Sequence, residues 1–147
     1  MNVITATRRL EWDAAHRVLR HESKCSTLHG HRYAACITVT APELDSVGRV
    51  IDFGRVKEVV GAWIDDNLDH TTILNSEDVE LRSFCVRECV QLGKRTPFVM
   101  DCEPTAENLS RLLFEVAQSL LGDGIRVVLV RVYETPNCYA ECSACTP

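Results

Sequence analysis

The chain has 147 residues, 46% of them hydrophobic and 25% charged, which is the profile of one ordered globular domain spanning 1–147. Lys+Arg of 16 against Asp+Glu of 21 gives a net charge of −5 with no basic run, which argues against sequence-independent nucleic-acid binding. No apolar run approaches the roughly 20 residues of a membrane span, and Met1 to Arg9 lack the basic-then-apolar order of a signal peptide, so the cytoplasm is the expected compartment. Eight cysteines in such a chain are expected as reduced thiols, some of them free for metal or catalysis.

The first segment alternates. Ile4, Ala6, Leu10, Trp12 and Ala14 share one parity, interrupted by Arg8, and Arg9, Glu11 and Asp13 share the other. That predicts a half-buried strand, with His16 next on its apolar face. A polar loop follows, about Arg17 to Leu28, and then a second strand over 31–40. Tyr33, Ala35, Ile37 and Val39 form one face of it, Arg32, Thr38 and Thr40 the other, and Ala41-Pro42 ends it. His29 and His31 share the apolar parity. The two strands predict a long-looped antiparallel hairpin.

Asp52 caps a helix with Phe53, Val56, Val60, Trp63 and Ile64 at helical spacing, ending near Asn67-Leu68. Residues 75–103 read as irregular, apart from a short helix around 79–89. Thr105, after Pro104, caps a second main helix striped by Leu109, Leu112, Leu113, Val116, Ala117, Leu120 and Leu121, and Gly122 stops it. Residues 125–133 read as a strand, Pro136-Asn137 as a turn, and a short last strand begins near Tyr139. The order ββααββ predicts an α+β fold with its helices on one face of an antiparallel sheet.

Side chains two apart on a strand point the same way, so His29 and His31 converge, and His16 joins them if the first two strands pair. Three imidazoles with no carboxylate among them suit zinc, with a fourth position open to water or substrate. The blander alternative is three separate polar residues near strand ends. Gly30 is expected to let the backbone turn sharply between two ligands. Cys25, four residues before His29, is a base, a nucleophile, a fourth ligand or a bystander. Asp69-His70 is either a proton relay or ordinary helix-end chemistry. Glu134 continues the parity of Val128, Val130 and Val132. A carboxylate ending an apolar face needs a partner, such as a guanidine-like N–H pair on a ligand, unless it reaches solvent. Glu107, in the first turn of its helix, suits the dipole more readily than a ligand. Cys85 and Cys89, and Cys138, Cys142 and Cys145, are expected as free thiols, with a second metal site as the alternative.

The motifs in order resemble a known family. Trp12-Asp13-Ala14-Ala15-His16 is similar to its aromatic-x-Ala-Ala-His block, with Trp where Phe is usual. Lys24-Cys25-Ser26-Thr27-Leu28-His29-Gly30-His31 resembles its Cys-x3-His-Gly-His block. Val50-Ile51-Asp52-Phe53, Leu68-Asp69-His70, Pro104-Thr105-Ala106-Glu107-Asn108 and Glu134-Thr135 are similar to further blocks in the same order. The family is the 6-pyruvoyltetrahydropterin synthase / 6-carboxytetrahydropterin synthase group. The resemblance implies the tunnelling fold, in which ββααββ subunits form a barrel, usually a homohexamer of two trimers. It implies zinc on His16, His29 and His31, Cys25 as the proton-abstracting thiolate, and Asp69 and His70 as relay. It also implies Glu134 as the pterin anchor with Thr105 and Glu107 beside the ring, and 7,8-dihydroneopterin triphosphate as substrate. The three-residue gap between Cys25 and His29 resembles the bacterial carboxy branch of the 7-deazapurine (queuosine) route rather than the pyruvoyl branch. Ala106 stands where many relatives have Ser or Thr, and residues 76–103 form an insertion relative to compact bacterial forms. Lys24, Arg17 and Arg20 are triphosphate candidates on charge and loop position. Rival classes are a zinc hydrolase, which needs neither Cys25 nor Glu134, and a structural zinc module built on the cysteines.

Overall fold

The computed structural model describes residues 2–144. β1 (Ala6–His16) and β2 (His29–Thr40) pair antiparallel from Ala6 opposite Val39 to His16 opposite His29. Alternation sends Leu10, Trp12, Ala14 and His16 to one face with Tyr33, Ala35, Ile37 and Val39, and all eight are buried. β2 starts at His29, earlier than its apolar run suggests, because the ladder continues through Gly30 opposite Ala15. Gly30 is therefore not a turn. A Cβ there would meet the Ala14 carbonyl oxygen at 3.3 Å, so glycine serves close strand packing instead.

The Asp52 carboxylate accepts from the Gly54 N–H at 2.7 Å and starts α1 (Phe53–Val56). The helix widens through a π-turn (Lys57–Gly61) and continues as α2 (Ala62–Asn67). β3 (Thr71–Asn75), α3 (Val79–Gln91) and β4 (Phe98–Met100) follow. α4 (Ala106–Leu121) begins at Thr105, whose hydroxyl accepts from the Asn108 N–H at 3.3 Å, and ends at Gly122 with φ 74. β5 (Arg126–Thr135) and β6 (Cys138–Ser143) complete the chain order. Val56, Val60 and Ile64 join Leu109, Leu113 and Ala117 over Leu10, Trp12, Tyr33 and Ile37 in one core. Each large side chain fully buried there contributes about 1.5–3 kcal/mol.

The fold is α+β as expected, but residues 71–103 are more regular than their sequence suggests. The sheet order is β4-β3-β1-β2-β5-β6, and β3 runs parallel to both β1 and β4. The sheet is therefore mixed, not wholly antiparallel, and ββααββ gains two strands and a helix. β3 escapes a period-two reading because Ile73, Leu74 and Asn75 are all buried, so no alternation marks it. α3 has 13 residues, none fully buried, which leaves it only a faint apolar stripe. A bulge also breaks one expected parity. Thr38 faces Leu129 and Val39 faces Val127, so Val128 is squeezed out of register. Val127, Val130 and Val132 are buried, and Val128 leaves their face.

Within one chain the sheet is open, with β4 and β6 at its edges. Among the described residues no helix is long and apolar enough to cross a membrane. Seven cysteines are free thiols, with Cys138 exposed and Cys142 half-buried. Cys145 lies outside the described residues.

One ion pair ties α3 to the end of β1. Asp78 caps α3 by accepting from the Leu81 N–H, and its two carboxylate oxygens each take a guanidinium nitrogen of Arg17 at 2.5 Å. The Asp78 side chain is 2% exposed. The Arg17 hydrogen bond holds the Asp78 carboxyl below the ordinary carboxylate range, against the opposing effect of burial. A carboxyl depressed on folding stabilises fully above its unfolded pKa, near 3.9, and loses that contribution as pH falls through the folded value. Asp78→Ala is expected to cost about 2–3 kcal/mol, because Arg17 keeps a half-buried charge without its partner. Amide exchange of α3 measures this: protection should fall in the variant at neutral pH and in the parent under acid, and unchanged exchange in both would refute it.

Candidate metal centre and its surroundings

The register that pairs β1 with β2 places His16 opposite His29 and Ala14 opposite His31. The three rings meet nearly edge to face, with centroids 4.7 Å apart for His16–His29, 5.1 Å for His16–His31 and 4.9 Å for His29–His31. One ligand nitrogen from each lies within 4.8 Å of the others. Tyr33, stacked on Trp12 with centroids 5.2 Å apart, packs its ring edge-on against His16 and His31.

Backbone carbonyls settle two of the tautomers. His16 Nδ1 lies 2.8 Å from the Pro104 carbonyl, and His29 Nδ1 lies 2.6 Å from the Thr27 carbonyl. A carbonyl only accepts, so both Nδ1 atoms carry the proton and donate. Each ring's Nε2 is then a lone pair, and the two Nε2 atoms face one another at 3.2 Å. With both rings neutral, two lone pairs so placed suit a cation between them. Burial drives His16 down to about pKa 4, and the neighbouring His29 and His31 charges add to that against the Pro104 hydrogen bond. His16 is therefore neutral at pH 7, with its Nε2 lone pair free for a metal ion. A tetrahedral metal with bonds of about 2.05 Å separates its nitrogens by about 3.3 Å, close to what the pair shows. The residues present thus fit a metal on His16, His29 and His31, with carbonyl partners orienting two of the ligands.

Two carboxylates among the candidate residues, Glu134 beside the centre and Asp69 at the end of α2, are in opposite electrostatic states. Glu134 Oε1 is 3.9 Å from His16 Nε2. Burial, and then the Glu107 charge, raise the Glu134 pKa against the pull of His29. Asp69 is half-buried, which alone would raise its pKa. The Asp13 N–H, the His70 hydrogen bond and the charges of His70 and Arg32 outweigh that and hold it low. Asp69 Oδ1 accepts from the Asp13 N–H at 2.9 Å, and Oδ2 accepts from His70 Nδ1 at 2.7 Å. The His70 N–H donates to the Asp13 carbonyl at 2.7 Å. His70 has φ 53, the one positive φ outside glycine among the described residues. That left-handed conformation costs about 1–2 kcal/mol for an L-residue. His70 is exposed, and it lines a shallow hollow together with His31.

Cys25 is half-buried in a short 3₁₀ turn (Lys24–Ser26), and its carbonyl accepts from the Val18 N–H at 2.9 Å. That bond folds the loop back beside His16. Thr105 spends its hydroxyl as a helix cap, and Glu107, two residues on in the first turn of α4, is exposed. Arg17 is committed to Asp78, and Arg20 pairs with Glu77 and Glu103, so of the three triphosphate candidates only Lys24 has no ion pair among the described residues. A hollow of about 600 Å³ lies between β1 and the α1–α2 run, and no histidine lines it.

Sequence reasoning missed the backbone groups that hold these side chains, the Thr27 and Pro104 carbonyls and the Asp13 backbone, and it missed Arg95, which donates to the Asp65 and Asp69 carbonyls. Carbonyls carry no side-chain signature. Arg95 sits in the segment read as irregular.

This architecture is the tunnelling fold. Among solved structures, an uncharacterized protein of Wolinella succinogenes superposes with a TM-score of 0.80 at 22% identity, covering 97% of this chain and 99% of that one. The 6-pyruvoyl tetrahydropterin synthase of Caenorhabditis elegans superposes with a TM-score of 0.68 at 21% identity, covering 99% and 98%. At the level of sequence, the 6-pyruvoyl tetrahydropterin synthase family model matches residues 5–145, and the chain belongs to that family. A Rickettsia felis protein named 6-carboxy-5,6,7,8-tetrahydropterin synthase is 42% identical over 141 residues, covering 95% of this chain and 99% of its own. A Haemophilus influenzae protein of the same name is 28% identical over 138 residues, covering 92% and 95%.

The site predicts about one transition-metal ion per chain. His29→Ala and His31→Ala should both lose it in elemental analysis while circular dichroism keeps the secondary structure. Full metal retention in both variants would exclude the imidazole site.

Proposed function

We propose that the chain is a zinc-dependent lyase that converts 7,8-dihydroneopterin triphosphate to 6-carboxy-5,6,7,8-tetrahydropterin, acetaldehyde and triphosphate, in 7-deazapurine (queuosine) biosynthesis. The observation that carries the reading is the pair of Nε2 lone pairs held 3.2 Å apart with His31 beside them. The near-complete coverage of relatives named 6-carboxy-5,6,7,8-tetrahydropterin synthase supports the branch, as does the Cys25-x3-His29 spacing.

When bound to His16, His29 and His31, zinc supplies Lewis acidity to the oxygens of the substrate side chain and so acidifies the neighbouring C–H and O–H groups. The chain's own residues do the rest. Cys25, on the loop folded back beside His16, takes a proton from that side chain as a thiolate. Asp69 stays ionised, accepts the Nδ1–H of His70, and leaves His70 Nε2 to exchange a proton with substrate. Glu134 accepts the 2-amino and ring N–H pair of the pterin, and desolvation at its half-buried position makes that pairing favourable. Thr105 and Glu107 flank the ring. The open edges β4 and β6 fit closure of the sheet by further copies, as a homohexamer of two trimers. The partners are this small substrate and other copies, with no nucleic acid or membrane, in the cytoplasm, and residues 1–147 act as one domain with 76–103 inserted.

A product assay tests the branch. Acetaldehyde counted with alcohol dehydrogenase should match the substrate consumed. Triphosphate release without acetaldehyde, and 6-pyruvoyltetrahydropterin in the chromatogram, would move the chain to the pyruvoyl branch. Cys25→Ala should keep its zinc and lose turnover by about 10²–10⁴-fold, the scale on which a general base contributes. Near-normal turnover in that variant would instead favour a zinc hydrolase.

A further inference from the structure

We propose that Arg95, between α3 and β4, is a positioning residue for the Asp69–His70 pair, an inference that rests on the relay role proposed above. At the end of α2 the Leu68 and Asp69 N–H groups both donate to the Ile64 carbonyl, at 2.7 Å and 3.0 Å. In a regular α-helix the Asp69 N–H would instead serve the Asp65 carbonyl, four residues back. The Asp65 carbonyl is thus left without its helical donor, one of the orphans of a helix end. Arg95 supplies it: one guanidinium nitrogen donates to the Asp65 carbonyl at 2.8 Å, and the other donates to the Asp69 carbonyl. A planar guanidinium holds two acceptors in one fixed geometry, which a lysine cannot do.

The Asp69 carbonyl belongs to the peptide that leads into His70, so clamping it sets the plane from which His70 takes its positive φ. A strained conformation persists only where its surroundings over-determine it. Four other hydrogen bonds bear on this dipeptide: two with the Asp13 backbone, one between the two side chains, and one from the Asp69 N–H to the Ile64 carbonyl. The Asp69 N–H joins it to α2 through the Ile64 carbonyl, and Arg95, which bridges the Asp65 and Asp69 carbonyls, is the contact among these that comes from outside β1 and α2. The segment carrying Arg95 is held in turn, by the Thr71 hydroxyl donating to the Thr96 carbonyl at 3.4 Å and the Lys94 N–H donating to the Cys89 carbonyl at 2.7 Å. Arg95 and His70 line the same open pocket, and the Arg95 guanidinium hydrogen-bonds to backbone carbonyls there and not to the His70 ring among the described residues. Arg95 therefore acts through the backbone, and residues 76–103 contribute to the site as a brace for the relay.

Arg95→Ala and Arg95→Lys, made in the metal-loaded protein, test this with two readouts. The first needs no substrate. The imidazole ¹H–¹⁵N spectrum of His70 should show one Nδ1–H tautomer in the parent, a mixture in Arg95→Ala, and an intermediate pattern in Arg95→Lys. The second is steady-state kinetics on 7,8-dihydroneopterin triphosphate. In Arg95→Ala, kcat should fall roughly tenfold to a hundredfold with KM unchanged within about twofold, as for a catalytic group displaced by about 1 Å. Added guanidinium ion should restore part of it. Metal content and circular dichroism should match the parent. A His70 spectrum identical in parent and Arg95→Ala overturns the proposal, and so does unchanged kcat. If the parent turns over no substrate, the functional reading fails by itself, and the His70 spectrum still decides whether Arg95 sets that side chain.

Discussion

The antiparallel register of β1 against β2 is the constraint on which the centre depends, since it sets His16 across from His29 and leaves His31 two residues along the same face. A slip of one residue would send His29 and His31 to the opposite face from His16. That register is defended by packing well away from the histidines. Leu10, Trp12, Tyr33, Ile37 and Val39 are buried on the same face, and helices α1, α2 and α4 close over them. The hydrophobic core and the metal ligands are thus one surface. The core fills its middle, and the imidazoles occupy the end where the strands separate into the long loop.

Position alone does not make a ligand. Two of the imidazoles are poised because backbone carbonyls hold their protons on Nδ1, and those carbonyls come from two different places in the chain. Thr27 lies in the loop just before β2, and Pro104 precedes α4, 88 residues from His16. The loop between β1 and β2 is braced in its turn. The Leu19 N–H donates to Glu103 at 2.9 Å, Arg17 locks onto Asp78, and Val18 holds Cys25. Arginines that look available to an anionic substrate in the sequence are therefore spent on architecture.

Glu134 beside the centre and Asp69 at the end of α2 show how environment separates like groups. Asp69 collects hydrogen bonds and neighbouring positive charge, which keep it ionised and suited to orienting an imidazole. Glu134 is desolvated at the end of an apolar face with Glu107 near it, which raises its pKa and suits it to a paired N–H donor. Nothing in the residue types distinguishes them. The difference arises from what the fold packs around each one.

Local pattern determined a good deal of this protein. Alternation marks β1 and β2, the caps Asp52 and Thr105 and the stop Gly122 bound their helices, and His16, His29 and His31 are readable as one cluster, because these signals depend on neighbours a few residues apart. Tertiary structure decided the rest. β3 exists only as a parallel strand between β1 and β4, and with Ile73, Leu74 and Asn75 all buried it shows no period of two, while β4 is a three-residue edge strand too short to show one. The bulge at Val128 answers the register of β2, not its own sequence. Gly30 is needed because the Ala14 carbonyl of the paired strand lies against it, not because the chain turns there. The Arg17–Asp78 and Arg95 contacts join residues 61, 30 and 26 positions apart. Hydrogen bonds over such separations form only after the chain has folded back on itself, so periodicity, which reports a chain's near neighbours, carries no trace of them.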